Sequence, residues 1–380
     1  MNENTILNVA ESWEGFASTR SRRPADWPQR MQHFINIMEN KPGWGSRVWA
    51  AKVEEASGTS DFPLLFADTL DRQMLALWQI ATPVMRQVLR VGRLRDFRTA
   101  KRFAFEGMLG RLQQVEEQAP YKADPITETK YEITLKKWGK RIGFSWEAFL
   151  NDDLGMFSSL PGALVQAAQA TEDWRLTSLF WNASGPKDTY FNASKGQKGV
   201  SALPLTVANL ATAVADMCGG KSATSDYSVD ECPIINVPRY LMVPPALQLE
   251  AEAICMSPIV QWVNASGVAA VAQPVMNALA NRRLIPVVNP WIPAIVTSGT
   301  LDQTTWAVFS ETIKPGELGL LANHETPEIF LKASNATALG GMGSDPFNGS
   351  YENDVIEYKE RYVFEGCTLD PRGGWASDGQ

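Results

Sequence analysis

Between Phe157 and Trp181 an apolar or small residue returns every third or fourth position: Phe157, Leu160, Leu164, Ala167, Thr171, Trp174, Ser178 and Trp181. That spacing collects on one face of an α-helix and on no face of a strand. Glu172, Asp173 and Arg175 fall off the stripe, so one long helix buried along a single side is expected. Asn151-Asp152-Asp153 offers N-capping side chains upstream, and Pro161 suits the first turn of a fresh helix. A helix of this length, apolar on one side only, requires an equally long apolar layer to lie on.

The flanking segments supply candidates for that layer. Tyr131, Ile133 and Leu135 alternate with Glu132, Thr134 and Lys136, the period of a half-buried strand. After Lys137 the apolar residues move to even positions, Trp138, Ile142, Phe144 and Trp146, which predicts a bulge or bend near Lys136–Gly139. Residues 112–127 (Glu116, Glu117, Pro120, Pro125) are too polar for a core, so 97–146 reads as a long hairpin projecting from the body. Residues 203–325 read as an α/β unit. Its parts are an amphipathic helix Val207–Met217, a strand ending in Tyr240-Leu-Met-Val-Pro-Pro, a helix from Ala246, another ending at Asn281-Arg282-Arg283, and strands around Leu284–Val288 and Trp306–Phe309. In the tail, Ile329 and Leu331 stand two apart, as on one face of a strand. Ile356, Tyr358, Tyr362 and Phe364 then share one face, opposite Glu357, Lys359, Arg361 and Glu365. Upstream, Phe66, Leu70, Met74, Leu77, Trp78 and Ala81 predict a helix ended by Pro83. Residues 1–60 spread Trp13, Phe16, Trp27, Trp44 and Trp49 through polar sequence, the pattern of an arm that anchors on something else.

Chemistry is scarce. Two histidines in 380 residues, His33 and His324, leave little for a histidine metal site or a Ser-His-Asp triad. The four cysteines show no CxxC spacing, and residues 1–20 contain no apolar signal region, so reduced thiols are expected. No run of about 18 apolar residues is present to span a membrane as a helix. Ala215 to Ser222 fits a loose P-loop with Gly220 and Lys221. A phosphate cradle needs a strand before it, however, and a helix precedes this one, so Gly219-Gly220 reads as a helix C-cap. The paired acids Glu54-Glu55 and Glu116-Glu117 point to opposite faces if extended, and Asp152-Asp153 is a cap. A net charge of −7 argues against a surface devoted to nucleic acid. Two basic clusters stand out: Arg86, Arg90, Arg93, Arg95, Arg98, Lys101 and Arg102, and the knot Arg20, Arg22 and Arg23.

Five stretches in order carry a family likeness: Asp96-Phe97-Arg98; Leu112 to Lys122; Tyr131 through Ile142 and Asn151-Asp152-Asp153 to Phe157; Arg239 to Leu247; and Asn353-Asp354 through Lys359-Glu-Arg361 and Phe364-Glu-Gly366 to Gly373. From about residue 60 onward the chain resembles the major capsid proteins of tailed phages with the Hong Kong 97-type fold, most of all the Mu-like major head subunits. The resemblance implies an α+β fold with an N-arm (1–60), a helical segment leading to the P-domain (61–96), a projecting E-loop hairpin (97–146), and a P-domain (147–203) with spine helix 160–183. An α/β A-domain (204–325) and P-domain return strands (326–380) complete it.

It also implies a non-enzymatic shell subunit with no cofactor, no metal and no catalytic residue, built into hexamers and pentamers around double-stranded DNA. The expected partners are copies of itself, portal and scaffolding proteins, a decoration protein and packaged DNA held non-specifically, without a membrane. The place is the virion capsid, assembled in the host bacterial cytoplasm. On this reading Arg95, Arg98, Glu116, Glu117, Lys122 and Lys130 are candidate inter-subunit contacts. Arg20, Arg22 and Arg23 are candidates for facing DNA. An encapsulin-type nanocompartment shell remains an alternative within the fold, and a nucleotide-binding enzyme acting through Lys221 one outside it.

Overall fold

The structure is a computed structural model that describes residues 77–79, 83–106, 114–115, 117, 127–145, 156–192, 203–219, 236–257, 259–261, 274–277, 279, 284–299, 301–333, 335 and 350–379. In chain order the main elements are β1 (Arg90–Leu94), β2 (Ala100–Glu106), β3 (Thr127–Ile133), β4 (Lys136–Ser145), α1 (Met156–Phe180) and α2 (Val207–Cys218). Then come β5 (Pro238–Val243), α3 (Gln248–Met256), β6 (Ile285–Val288), β7 (Trp306–Ser310), β8 (Gly316–Leu321), β9 (Glu328–Leu331), β10 (Val355–Thr368) and β11 (Gly374–Ser377). The content is α+β, as expected. The chain divides into two compact units, one of residues 1–82, 137–168 and 326–362, the other of residues 83–136, 169–325 and 363–380.

In the first unit, β9 pairs antiparallel with β10 (Glu328↔Arg361, Leu331↔Tyr358), and β4 also pairs with β10. Alternation puts Ile356, Tyr358, Glu360 and Tyr362 on the buried face of β10. Trp78 packs edge-on against Tyr362 and Phe144 against Tyr358, with ring centroids 5.4 and 6.2 Å apart. Gly139 marks the close crossing of β4, because a Cβ there would collide with the Glu360 carbonyl oxygen.

The second unit holds two layers of sheet. One is the order β6-β5-β7-β11, in which β6 and β5 run parallel and β7 is antiparallel to both neighbours. Helices α2 and α3 supply Leu210, Val214, Met217 and Ile254 to a core with Leu241, Trp306 and Trp375. Thr206 caps α2 through its hydroxyl, which accepts from the Asn209 N–H. The other layer runs β1, β8 and the last residues of β10: β1 is parallel to β8 (Arg90↔Glu317, Leu94↔Leu321) and β8 antiparallel to β10 (Gly316↔Thr368, Leu320↔Phe364). The end of α1 drops Phe180 into a buried aromatic cluster with Trp181, Tyr190, Phe191 and Phe309.

Several expectations change. The long helix, expected over 160–183, begins at Met156 and ends at Phe180. Pro161 sits inside it and removes only the bond to the Phe157 carbonyl, next to the turn whose N–H groups lack helical partners anyway. At the other end Trp181–Asn182 ladders with Gly185–Pro186, and Gly185 takes φ +111° to close the turn. Residues Glu172 and Asp173, expected off the buried side, are buried. The anticipated bulge at 136–139 is a strand break at Thr134-Leu135: β3 pairs with β2, whereas β4 pairs with β10. The parity switch therefore records a change of partner, and the paired hairpin is shorter than 97–146. Strand β11, expected among the return strands, completes the α/β sheet, and β8 at the end of the 204–325 stretch belongs to the other layer. Both faces of β10 are covered at its C-terminal end, so Glu365, expected outside, is buried. Helix α2 ends at Cys218 with the Gly219 N–H bonded to the Ala215 carbonyl, the C-cap expected. Lys221 and Ser222 lie outside the described residues, as do His33 and Asn281-Arg282-Arg283, where a helix was expected to end.

Candidate assembly surface

Strands β2 and β3 pair from Ala100↔Ile133 through Glu106↔Thr127 and join no other described strand. A lone two-stranded ladder is marginal in water, so its root must hold it. Lys101, Phe103, Lys130 and Glu132 are exposed on it, with Phe103 53% accessible, a large apolar side chain left without cover in the subunit. Lys130 pairs with Glu132, and that contact holds the Glu132 carboxyl below its usual range.

The root is built from both strands. Arg102 donates from Nε to Glu317 Oε1 and Oε2 (3.1 and 3.0 Å) and from Nη2 to Oε1 (2.7 Å). Glu317 is fully buried on β8. The Thr99 and Thr134 hydroxyls lie 2.9 Å apart across the hairpin base. Ile133 is buried in a cluster with Leu94, Leu135, Val363 and Cys367. One strand over, Glu365 accepts from Arg175 Nε (2.7 Å) and from the Gly366 N–H (3.1 Å). Lys136 Nζ lies 3.2 Å from Glu365 Oε2, a charge contact whose angle does not make a hydrogen bond.

The basic stretch thus splits into two populations. Arg86 forks onto buried Glu172 at 2.6 and 2.8 Å, and Arg102 onto Glu317, so these two serve the subunit's own interior. Beside Glu172, Asp173 accepts from the Val84 and Met85 N–H groups (3.0 and 2.9 Å), tying the turn before β1 to α1. Burial pushes the Asp173 carboxyl up to about 6 against those two bonds. Arg93 meets Glu325 at 2.7 Å and Arg98 meets Asp96 at 3.7 Å, both at the surface. Arg90, Arg95 and Lys101 are exposed without an ion pair among the described residues.

Of the sequence candidates, Arg95 and Arg98 fall in the exposed bend 95–98 between β1 and β2, and Lys130 on β3. Glu117 is exposed in a turn. Glu116, Lys122, Arg20, Arg22 and Arg23 lie outside the described residues. Glu317, Gly316 and Gly319 are absent from the sequence-based candidates, and Glu365 was expected on an outward face. The available signal was Gly316-Glu-Leu-Gly319-Leu-Leu, a lone acid in an apolar, glycine-flanked run. Among the described residues no group of His, Cys, Asp or Glu has the arrangement to hold a metal, and no helix is long and apolar enough to cross a membrane.

The sequence model of a family described as phage capsid protein matches residues 128–377. Among solved structures, a chain from Mycobacterium phage Cain is 12% identical, covering 76% of this chain and 84% of that one, at a TM-score of 0.45. One from Mycobacterium phage Bobi is also 12% identical, with 78% and 90% covered and a TM-score of 0.45. A chain of the holo-SrpI encapsulin complex from Synechococcus elongatus PCC 7942 is 9% identical, with 80% and 95% covered and a TM-score of 0.43. No curated protein matches the sequence.

Proposed function

This chain belongs to the phage capsid protein family and is a major capsid protein; from that premise we propose that it closes with copies of itself, as hexamers and pentamers, into an icosahedral shell around double-stranded DNA. The family match over residues 128–377 carries this reading. The narrower placement among Mu-like head subunits rests on the residue stretches quoted above.

A shell subunit meets identical copies through unlike patches, each contact weak enough to correct errors. The exposed bend with Arg95 and Arg98, the ladder with Lys101, Phe103 and Lys130, and the acids Glu116 and Glu117 form one such polar, register-setting contact, together with Lys122. Arg86 and Arg102 are not part of it, being committed to buried acids. The Arg20, Arg22 and Arg23 knot screens packaged DNA without reading sequence. Portal, scaffolding and decoration proteins are further partners, and assembly takes place in the host cytoplasm.

Negative-stain electron microscopy of the purified chain at low and high salt tests this. Closed shells, tubes or capsomer rings are expected, with Arg95→Glu/Arg98→Glu leaving a folded subunit that forms none. Shells from the double variant refute the contact, and a chain that stays monomeric under every condition, scaffold included, refutes the self-assembly reading.

A further inference from the structure

Arg102 and Glu317 stand 215 positions apart and still form a forked ion pair at the hairpin root. The Glu317 carboxylate occupies space that only a glycine leaves open: a Cβ built on Gly92 of β1 would run into Glu317 Oε1 and lie 2.9 Å from its Cδ. The φ of Gly92 is not in the left-handed region, so the backbone does not require glycine there; the carboxylate does. Two residues on from Glu317, Gly319 leaves the seat for the hairpin's last residue. A Cβ at Gly319 would lie 2.7 Å from Ile133 Cδ1 and 2.9 Å from Leu94 Cδ1. Glu317 is wholly buried, so a Cβ at Gly92 displaces its carboxylate from the position that Arg102 forks onto.

We infer that Gly92 and Glu317 are positioning residues for the hairpin: Glu317, admitted beside Gly92, holds Arg102, and the ladder β2–β3 therefore leaves the sheet in one fixed direction. The positioning belongs to the single subunit; only its consequence for shells rests on reading the hairpin as an assembly contact.

Hydrogen exchange on the full chain, wild type against Gly92→Ala and Glu317→Gln, tests it. Amides of residues 101–106 and 127–132 are expected to exchange at least about tenfold faster in both variants, while α1 after Gln169 and strands β5 and β7 keep their protection. In a Glu317→Ala background, Gly92→Ala adds nothing further, since the atom it displaces is gone. Unchanged hairpin protection overturns the inference, and so does a loss spread evenly over the second unit, which is the mark of a merely structural role. Should Gly92→Ala not fold, the near-isosteric Glu317→Gln decides alone. Particle formation is scored separately. Loosened hairpins with normal shells support the positioning and overturn the hairpin's assembly role.

Discussion

Glu360 sits on the buried face of β10 between Tyr358 and Tyr362, 6% accessible, with Oε1 lacking any hydrogen-bond partner. Burial pushes its carboxyl from 4.5 up to about 7, opposed only in part by the charge of Lys140. A folded-state value above the unfolded one means the folded chain holds the proton more tightly. Below about pH 4.5 both states hold the proton and there is no ionisation penalty, and stability is lost as pH rises toward 7. At about 1.4 kcal/mol per pKa unit, the ionised group weakens the fold by roughly 3 kcal/mol above pH 7, an upper figure because water penetration relieves part of it. Glu360→Gln replaces the neutral acid by a neutral amide of the same shape. It is expected to match wild type at pH 4.5 and to exceed it at pH 8, by a few degrees of thermal midpoint at about 2 °C per kcal/mol. The assay is a series of thermal melts from pH 4.5 to 8.5 at concentrations below particle formation. A variant that is less stable at pH 8 refutes the reasoning and means that the carboxylate is ionised and paired; one offset equally at every pH refutes it too, because folding then leaves the titration unchanged.

Arg102→Met strands the buried Glu317 charge and is expected to cost about 3–5 kcal/mol, while Arg102→Met/Glu317→Leu recovers most of that; melts of the three chains close the cycle. Asp173→Ala removes the acceptor of the Val84 and Met85 N–H groups. A loss of about 1–3 kcal/mol is expected, read from the thermal midpoint at pH 7.5.

Local periodicity made much of the fold legible. The stripe from Phe157 to Trp181 is α1 within a few residues, and Tyr240-Leu-Met-Val and Trp306–Phe309 are β5 and β7. These elements announce themselves because side-chain direction repeats with the backbone period. The shift of parity after Leu135 was visible too, but a pattern of faces cannot say whether a strand bends or changes partner. At the candidate surface, the exposed Arg95, Arg98 and Lys130 were readable as charge in polar sequence. Arg86 and Arg102 look the same in the sequence, yet both pair with buried acids.

Composition, periodicity and motif order were enough for the element types, the scarcity of catalytic groups and the family. Which acids are buried, which cations they claim, and what a side chain at Gly92 would displace depended on β8 lying between β1 and β10. Glu317 meets Arg102 and Gly92 across 215 and 225 positions of chain, and no local period encodes such a meeting. Burial of a charge is a property of the layers that close over it, and those layers exist only once the distant strands have paired.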